Sequence, residues 1–418
     1  MAYPAIIEAT NAKAAADDSF AVIDNPDVIE VGQKLWIPAA DAEAVGMANP
    51  ASVYCGEQGG ALDIRAADDG SQTGYCVFAD GSECEEWAFM RGECSPASAA
   101  TAEVTAAAEV EVTDIVLTGL LEDRKAEISG MDWYGDNLIM LPQYPTYFTD
   151  AEEGYAFALS KDDIMAFLDG AVASLAPTQI SFIAPGVKDK AAGFQGYEAI
   201  AFVGDNDVYL TIEAEAEDGS MSGYLVHGTI ASDLSTITVD TDNMTMIEPQ
   251  AAIGNMAEET LIVVGDKLVT LYEANGAGVN ASPVAHLFGM DMAAAGEVPL
   301  ANIEYRLTDA TKLDGDNRFW AINYFYPGDE DLTPASDPIV ETYGEGETHS
   351  ANDGVERLLQ FQYADSGISL TDAAPIQLKL LEEDLRNWEG LVRLGDSGFL
   401  LMTDKYPGTI LGFVPAAK

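Results

Sequence analysis

One short phrase returns five times between residues 129 and 404, and it limits what this chain can fold into. The first three copies read Ser129-Gly-Met-Asp-Trp-Tyr-Gly135-Asp136, Glu198-Ala-Ile-Ala-Phe-Val-Gly204-Asp205 and Glu259-Thr-Leu-Ile-Val-Val-Gly265-Asp266. The last two read Asp309-Ala-Thr-Lys-Leu-Asp-Gly315-Asp316 and Glu389-Gly-Leu-Val-Arg-Leu-Gly395-Asp396. A polar residue opens each copy, Gly-Asp closes it, and a second apolar run follows, as in Val208-Tyr-Leu-Thr-Ile212 or Phe399-Leu-Leu-Met402. Two short apolar runs joined by a tight Gly-Asp turn make a β-hairpin. The glycines are 69, 61, 50 and 80 residues apart. Small sheets repeated at such intervals bury their faces only against one another, so the expected fold is mainly β, a five-bladed β-propeller preceded by small N-terminal α+β modules. A sixth, degenerate blade within the acidic, Pro/Gly-rich stretch at 327–354 is the alternative to reading that stretch as a loop. The last repeat has a third strand, Thr409-Ile-Leu-Gly-Phe-Val414, but nothing left for a fourth. Residues 112–119 are expected to supply it and close the ring, leaving no free sheet edge. Residues 161–174 read as a helical insertion in the first blade.

Folding each hairpin about its turn gives every opening residue a partner at the far end. The pairs are Ser129 with Gln143, Glu198 with Glu213, Glu259 with Glu273, Asp309 with Asn323, and Glu389 with Asp404. Antiparallel partners lie about 5 Å apart. If the first strand of each hairpin lines the axis, all ten side chains meet at one mouth of the channel, and seven are carboxylates. Such a group requires either protonation of several members or a cation among them. Hard oxygen donors without His or Cys favour Ca2+ over zinc or copper. The expected metal ligands are therefore Glu198, Glu259, Asp309, Glu389, Glu213, Glu273, Asn323 and Asp404.

The 71 acidic against 19 basic residues give a net charge of −52, which excludes general affinity for nucleic acid or anionic membrane. No apolar run is long enough to span a bilayer. Cys55, Cys76, Cys84 and Cys94 lack the close pairs of a zinc site and read as two disulfides of open connectivity, which implies an oxidising compartment. Within that segment Glu85, Glu86 and Trp87 read as an exposed acidic turn beside a core Trp. Residues 95–111 are an Ala/Thr-rich tether. The expected domains are thus 1–40, 48–94, the tether at 95–111, and the propeller at 112–418.

Three segments resemble known families. Asn25-Pro-Asp-Val-Ile-Glu-Val-Gly-Gln-Lys-Leu-Trp-Ile-Pro38 is similar to the second half of a LysM module, a fold that binds N-acetylglucosamine polymers. Residues 49–94, with Asn49-Pro-Ala-Ser-Val-Tyr-Cys55 and Gly74-Tyr-Cys76, resemble a small secreted domain of unknown function sometimes labelled haemolysin-like. Gly196-Tyr-Glu-Ala-Ile-Ala-Phe202 and Asn387-Trp-Glu-Gly-Leu-Val-Arg-Leu-Gly-Asp396 resemble the esterase-like phytase propellers over roughly 112–415. That resemblance implies channel Ca2+ held first by Glu198 and Glu389.

The expectation is a secreted or cell-envelope calcium-binding propeller serving in surface binding or self-assembly, with a cell-wall glycan or a surface protein as partner. The alternative is a Ca-dependent phosphoester or ester hydrolase of the phytase-like class. Phosphate chemistry wants a base beside the metal, and only Arg393, Lys405 and Lys312 lie near the repeats. His227, His286 and His349 are scattered, and no Gly-x-Ser-x-Gly elbow is present.

Overall fold

The computed structural model describes residues 3–14, 49–58, 60–66, 72–78, 82–90 and 107–416, apart from 123–125, 150–152 and 382–383, together with positions 17, 22–23 and 34. The LysM-like phrase, save residue 34, and the tether at 95–106 lie outside them. The chain divides into two compact units, residues 1–103 and 104–418.

In the first unit, helix α1 spans Tyr3–Ala14 and α2 spans Pro50–Glu57. Asn49 caps α2 by accepting from the Ala51 amide, and Pro50 takes the first-turn position whose missing N–H costs nothing. Strands β1 (Ala61–Ala66), β2 (Gln72–Val77) and β3 (Glu83–Glu85) form an antiparallel sheet, followed by α3 (Glu86–Met90). A Cys55–Cys76 disulfide ties α2 to β2; Cys84 is also disulfide-bonded, and Cys94 lies outside the described residues. The acidic turn differs from expectation. Glu86 is buried and accepts from Asn49 Nδ2 (2.7 Å) and Ser52 Oγ (2.6 Å), while Trp87 is exposed and Phe89 fills the core. Glu86 can go inside because two local donors replace its water.

The second unit is a β-propeller. Two short strands come first, β4 (Glu109–Val110) and β5 (Thr113–Ile115). The first sheet is β6 (Ile128–Tyr134), β7 (Asn137–Pro142), β8 (Gly154–Ser160) and β9 (Thr178–Ile183), with α4 (Lys161–Leu168) between the last two. The second is β10 (Phe194–Val203), β11 (Asp207–Glu215), β12 (Met221–Ile230) and β13 (Thr236–Ile247). The third is β14 (Glu258–Val264), β15 (Lys267–Tyr272), β16 (Val284–Gly289) and β17 (Ala294–Pro299). The fourth holds β18 (Arg306–Ala310), β19 (Arg318–Phe325), β20 (Val355–Ala364), β21 (Gly367–Leu370) and β22 (Ile376–Leu378). The fifth holds β23 (Trp388–Arg393), β24 (Gly398–Thr403) and β25 (Leu411–Pro415), and β5 pairs with β25 as its fourth strand.

The first strands pack in a closed cycle, β6 on β10, β10 on β14, β14 on β18, β18 on β23 and β23 on β6. Apolar residues fill each seam between successive sheets. Ile139, Phe182, Ile200 and Ile212 pack between the first and second, and Met140, Phe157, Leu400 and Met402 between the fifth and first. Parallel pairing of β13 with β9 makes the first two sheets hydrogen-bond continuous, and β4 adds in parallel to β22. The stretch 327–354 contains short helical turns, among them Pro338–Tyr343, and no strand. Helix α4 occupies the expected insertion; Ser160 caps it by accepting from the Asp163 amide, and Asp162 and Asp163 complement its positive end.

Candidate functional site: the axial mouth

The register of the hairpins decides which side chains reach the axis. In the first, third and fifth sheets a bulge falls on Ser129, Glu259 and Glu389, the residues that open the phrase. Gly135, Gly204, Gly265 and Gly395 close these hairpins and the second one at φ values of 57–60°, a region closed to most L residues. The fourth hairpin departs from the pattern. Gly315 is not in that region; Asn317 is, at φ 58°, so the turn lies two residues further on. Ser129 Oγ donates to the Tyr197 carbonyl, which precedes Glu198, and Thr308 Oγ1 donates to the Trp388 carbonyl, which precedes Glu389. Thr308, not Asp309, therefore holds the opening position of the fourth hairpin.

Two expected ligands fall outside the mouth for this reason. Asp309 is buried and accepts from the Leu391 amide (2.6 Å) and the Ala310 amide (2.7 Å). Asn323 donates to the Glu304 and Arg306 carbonyls and accepts from Arg357 Nε (2.8 Å). Both are satisfied by the protein itself.

The other six gather. Glu198, Glu213, Glu259, Glu273 and Glu389 are all buried, and Asp404 adjoins them. Their cation is Arg306, the first residue of β18, which the sequence reading missed. Its guanidinium pairs with Glu273 and lies 3.8 Å from Glu259 and 3.9 Å from Asp329. Burial opposes the Arg306 charge, but Glu273, Glu259 and Glu389 outweigh it and hold the guanidinium protonated.

One cation does not balance six acids. Burial, reinforced by the charges of Glu213 and Glu389, pushes the Glu198 carboxyl well above the usual carboxylate range. Burial and Glu273 do the same to Glu259, and burial and Asp404 to Glu389. Glu213 is pushed up to about 7 by burial and by Glu273, against the opposing pull of Arg306. Partners are few. Gln143 Nε2 donates to Glu198 (3.3 Å), and Asn387 Nδ2 donates to Glu389 (2.6 Å). Among the described residues Glu213 Oε1, Asp404 Oδ1 and Asn387 Oδ1 have no hydrogen-bond partner, although Glu213 is only 4% exposed. Nor is any group of three or more His, Cys, Asp or Glu among the described residues arranged to hold a metal ion as it stands.

Arg306 and Asn387, which pair with acids of this cluster, also line a cavity of about 710 Å³ together with Tyr324, Tyr326, Asp329 and Tyr406. Tyr326 and Tyr406 are 53% and 57% exposed. Of the bases expected near the repeats, Lys312 pairs with Asp132 (2.9 Å) and Arg393 lies 3.8 Å from Asp314, while Lys405 pairs with Glu127 (2.9 Å) and its charge also acts on Asp404. The three histidines are separate, each beside one carboxylate: Asp207, Glu258 or Glu109.

The domain of unknown function DUF333 matches residues 46–93, which agrees with the small Cys-containing segment expected there. No curated protein matches the chain. Among solved structures, a glucose dehydrogenase is 14% identical, covering 73% of this chain and 99% of its own at a TM-score of 0.39. The soluble aldose sugar dehydrogenase of Escherichia coli is 10% identical, with coverages of 73% and 100% and a TM-score of 0.37. A Bacillus subtilis levansucrase in complex with oligosaccharides is 9% identical, with coverages of 78% and 87% and a TM-score of 0.42. Likenesses this distant carry no argument about activity, and the fold stands on its own strand pairing.

Proposed function

We propose that this is a secreted or envelope-associated five-bladed propeller that takes up Ca2+ at its axial mouth and presents the adjoining cavity to a glycan or a surface protein. The observation that carries the reading is the unpartnered oxygen of buried Glu213 within a group of six carboxylates that face one buried guanidinium, with Lys405 acting on Asp404 alone. Buried acids without partners are costly, and a second cation would relieve them. Glu198, Glu213, Glu259, Glu273, Glu389 and Asp404 offer only hard oxygen, the donor chemistry that suits Ca2+. The ion would join Arg306 rather than replace it. Disulfide bonding in the N-terminal unit supports an oxidising location, and the resemblance of the Glu198 and Glu389 phrases to phytase-like propellers supports a channel metal.

Thermal melting during a calcium titration tests this. Binding to the native state alone at 100 times Kd adds about 2.7 kcal/mol. No shift, or an equal shift with magnesium, leaves Arg306 and protonation as the only relief and removes the metal reading.

Arg306 also supports a second reading, a Ca-dependent phosphoester or ester hydrolase of the phytase-like class, because it brings to the cavity the base that phosphate recognition wants. When bound, the ion would polarise the ester oxygen; Arg306 would hold an anionic oxygen beside it. Release of phosphate or a chromogenic alcohol, abolished in Glu389→Gln, selects this reading over non-catalytic binding.

A further inference from the structure

The three-stranded sheet of the first unit uses only one side of its first strand. Strand β1 pairs with β2, from Ala61 opposite Val77 to Ala66 opposite Gln72, and no strand among the described residues takes its other side. The helices cover only part of the sheet. Cys76 of β2 and Cys84 of β3 are 0% and 1% exposed, packed with Cys55 of α2 and Phe89 of α3. Leu62 and Ile64 of β1 share that face and are 41% and 59% exposed. An apolar ledge beside a row of unused backbone N–H and C=O groups is what an added strand takes.

The opposite face says which strand that is. Asp63 and Arg65 stand there, two residues apart and both roughly half exposed. Arg65 Nε donates to Asp63 Oδ2 (2.8 Å), and its two terminal nitrogens donate to Glu83 (2.8 and 2.6 Å). A guanidinium has five N–H groups, so Arg65 has donors to spare, and among the described residues Asp63 Oδ1 accepts none. Charged residues usually keep an edge strand single, because a second copy brings like charges together. Here the signs are opposed and symmetric about Ile64. Turned about a two-fold axis at Ile64, β1 lies antiparallel to its own copy with Asp63 opposite Arg65 on both sides. Directly opposed residues lie about 5 Å apart, and unlike charges at that spacing attract. On the helix-covered face Ile64 meets its own counterpart and extends the apolar ledge.

We propose that a second copy of this chain docks here, β1 against β1, so that two three-stranded sheets become one of six. The pairing uses neither the axial mouth nor calcium. Six residues make a small contact, and the net charge of −52 opposes it, so the dimer is weak and needs salt to screen the long-range repulsion.

Sedimentation equilibrium of the full chain at about 0.15 M salt, where the Debye length is about 8 Å, reads the association. Between about 1 and 100 µM protein the mass should rise from one chain toward two. Asp63→Arg sets like charges opposite each other twice and should weaken the dimer about tenfold. Adding Arg65→Asp restores unlike pairs in the exchanged order and should return the dimer. Ile64→Lys, at the centre, should abolish it. All three positions are exposed, so each variant is expected to keep the wild-type melting curve. A mass that stays at one chain across the range overturns the proposal. So does a dimer untouched by Asp63→Arg, or a double variant that fails to regain it. Hydrogen exchange separates the other occupant. The β1 amides turned away from β2 should gain protection only as concentration rises. Equal protection at the lowest concentration means that another segment of the same chain covers the edge, which overturns the proposal.

Discussion

The two ends of the propeller axis treat buried acid in opposite ways. Toward the turns, Asp132 accepts from the Phe202 and Trp133 amides and pairs with Lys312, and Asp309 accepts two amides. At the mouth, six carboxylates share Arg306, and several oxygens are left over. All but the half-buried Asp404 are buried, and both sets are raised above the ordinary carboxylate range. Burial therefore does not separate the two sets. The count of partners does.

Removing Arg306 is the largest test of that contrast. Arg306→Met should cost about 3–5 kcal/mol at neutral pH, because it strands buried charge. Urea denaturation measures it, and the cost should shrink toward pH 5 as the acids take up protons. A loss below about 1 kcal/mol would mean that the mouth acids are already neutral, and the two ends would no longer differ.

Next comes the pH dependence of Glu213, which titrates near 7 in the fold against an ordinary 4.5. Between these values the native state holds a proton that the unfolded chain has released, so stability falls as pH rises through this window. At about 1.4 kcal/mol per unit, the wild type loses on the order of 3 kcal/mol across it. Glu213→Gln should flatten that slope in denaturation curves taken at pH 4.5 and 7.5; an unchanged slope assigns the titration to other acids.

Lys312→Met should have the smallest effect, about 1–2 kcal/mol, since Lys312 is half exposed and Asp132 keeps its two amides. Calcium should not alter that loss. If it does, the turn end also takes the ion.

Much of this arrangement was legible in the sequence. Four hairpins announced themselves because glycine is nearly the only residue that turns a strand back through a positive φ at no steric cost. The outer strand Thr113–Ile115 was expected because a propeller tolerates no unpaired edge. The fourth hairpin misled because Asn317 takes glycine's role in a longer turn, which moved Asp309 and Asn323 off the mouth. Arg306 was hidden by the same slip, since only the strand register brings a residue at the start of β18 to the acids of other sheets.

The strand that completes the circle is among the first of the propeller to be synthesised, and its partner is the last. Until Leu411–Pro415 emerges from the ribosome, Thr113–Ile115 has nothing to pair with, and the fifth sheet exposes an open flank. Closure of the ring therefore waits for β25. A ring whose last strand seals against its first keeps one flank open until that strand is made, and a stop before Leu411 leaves the edge unsealed.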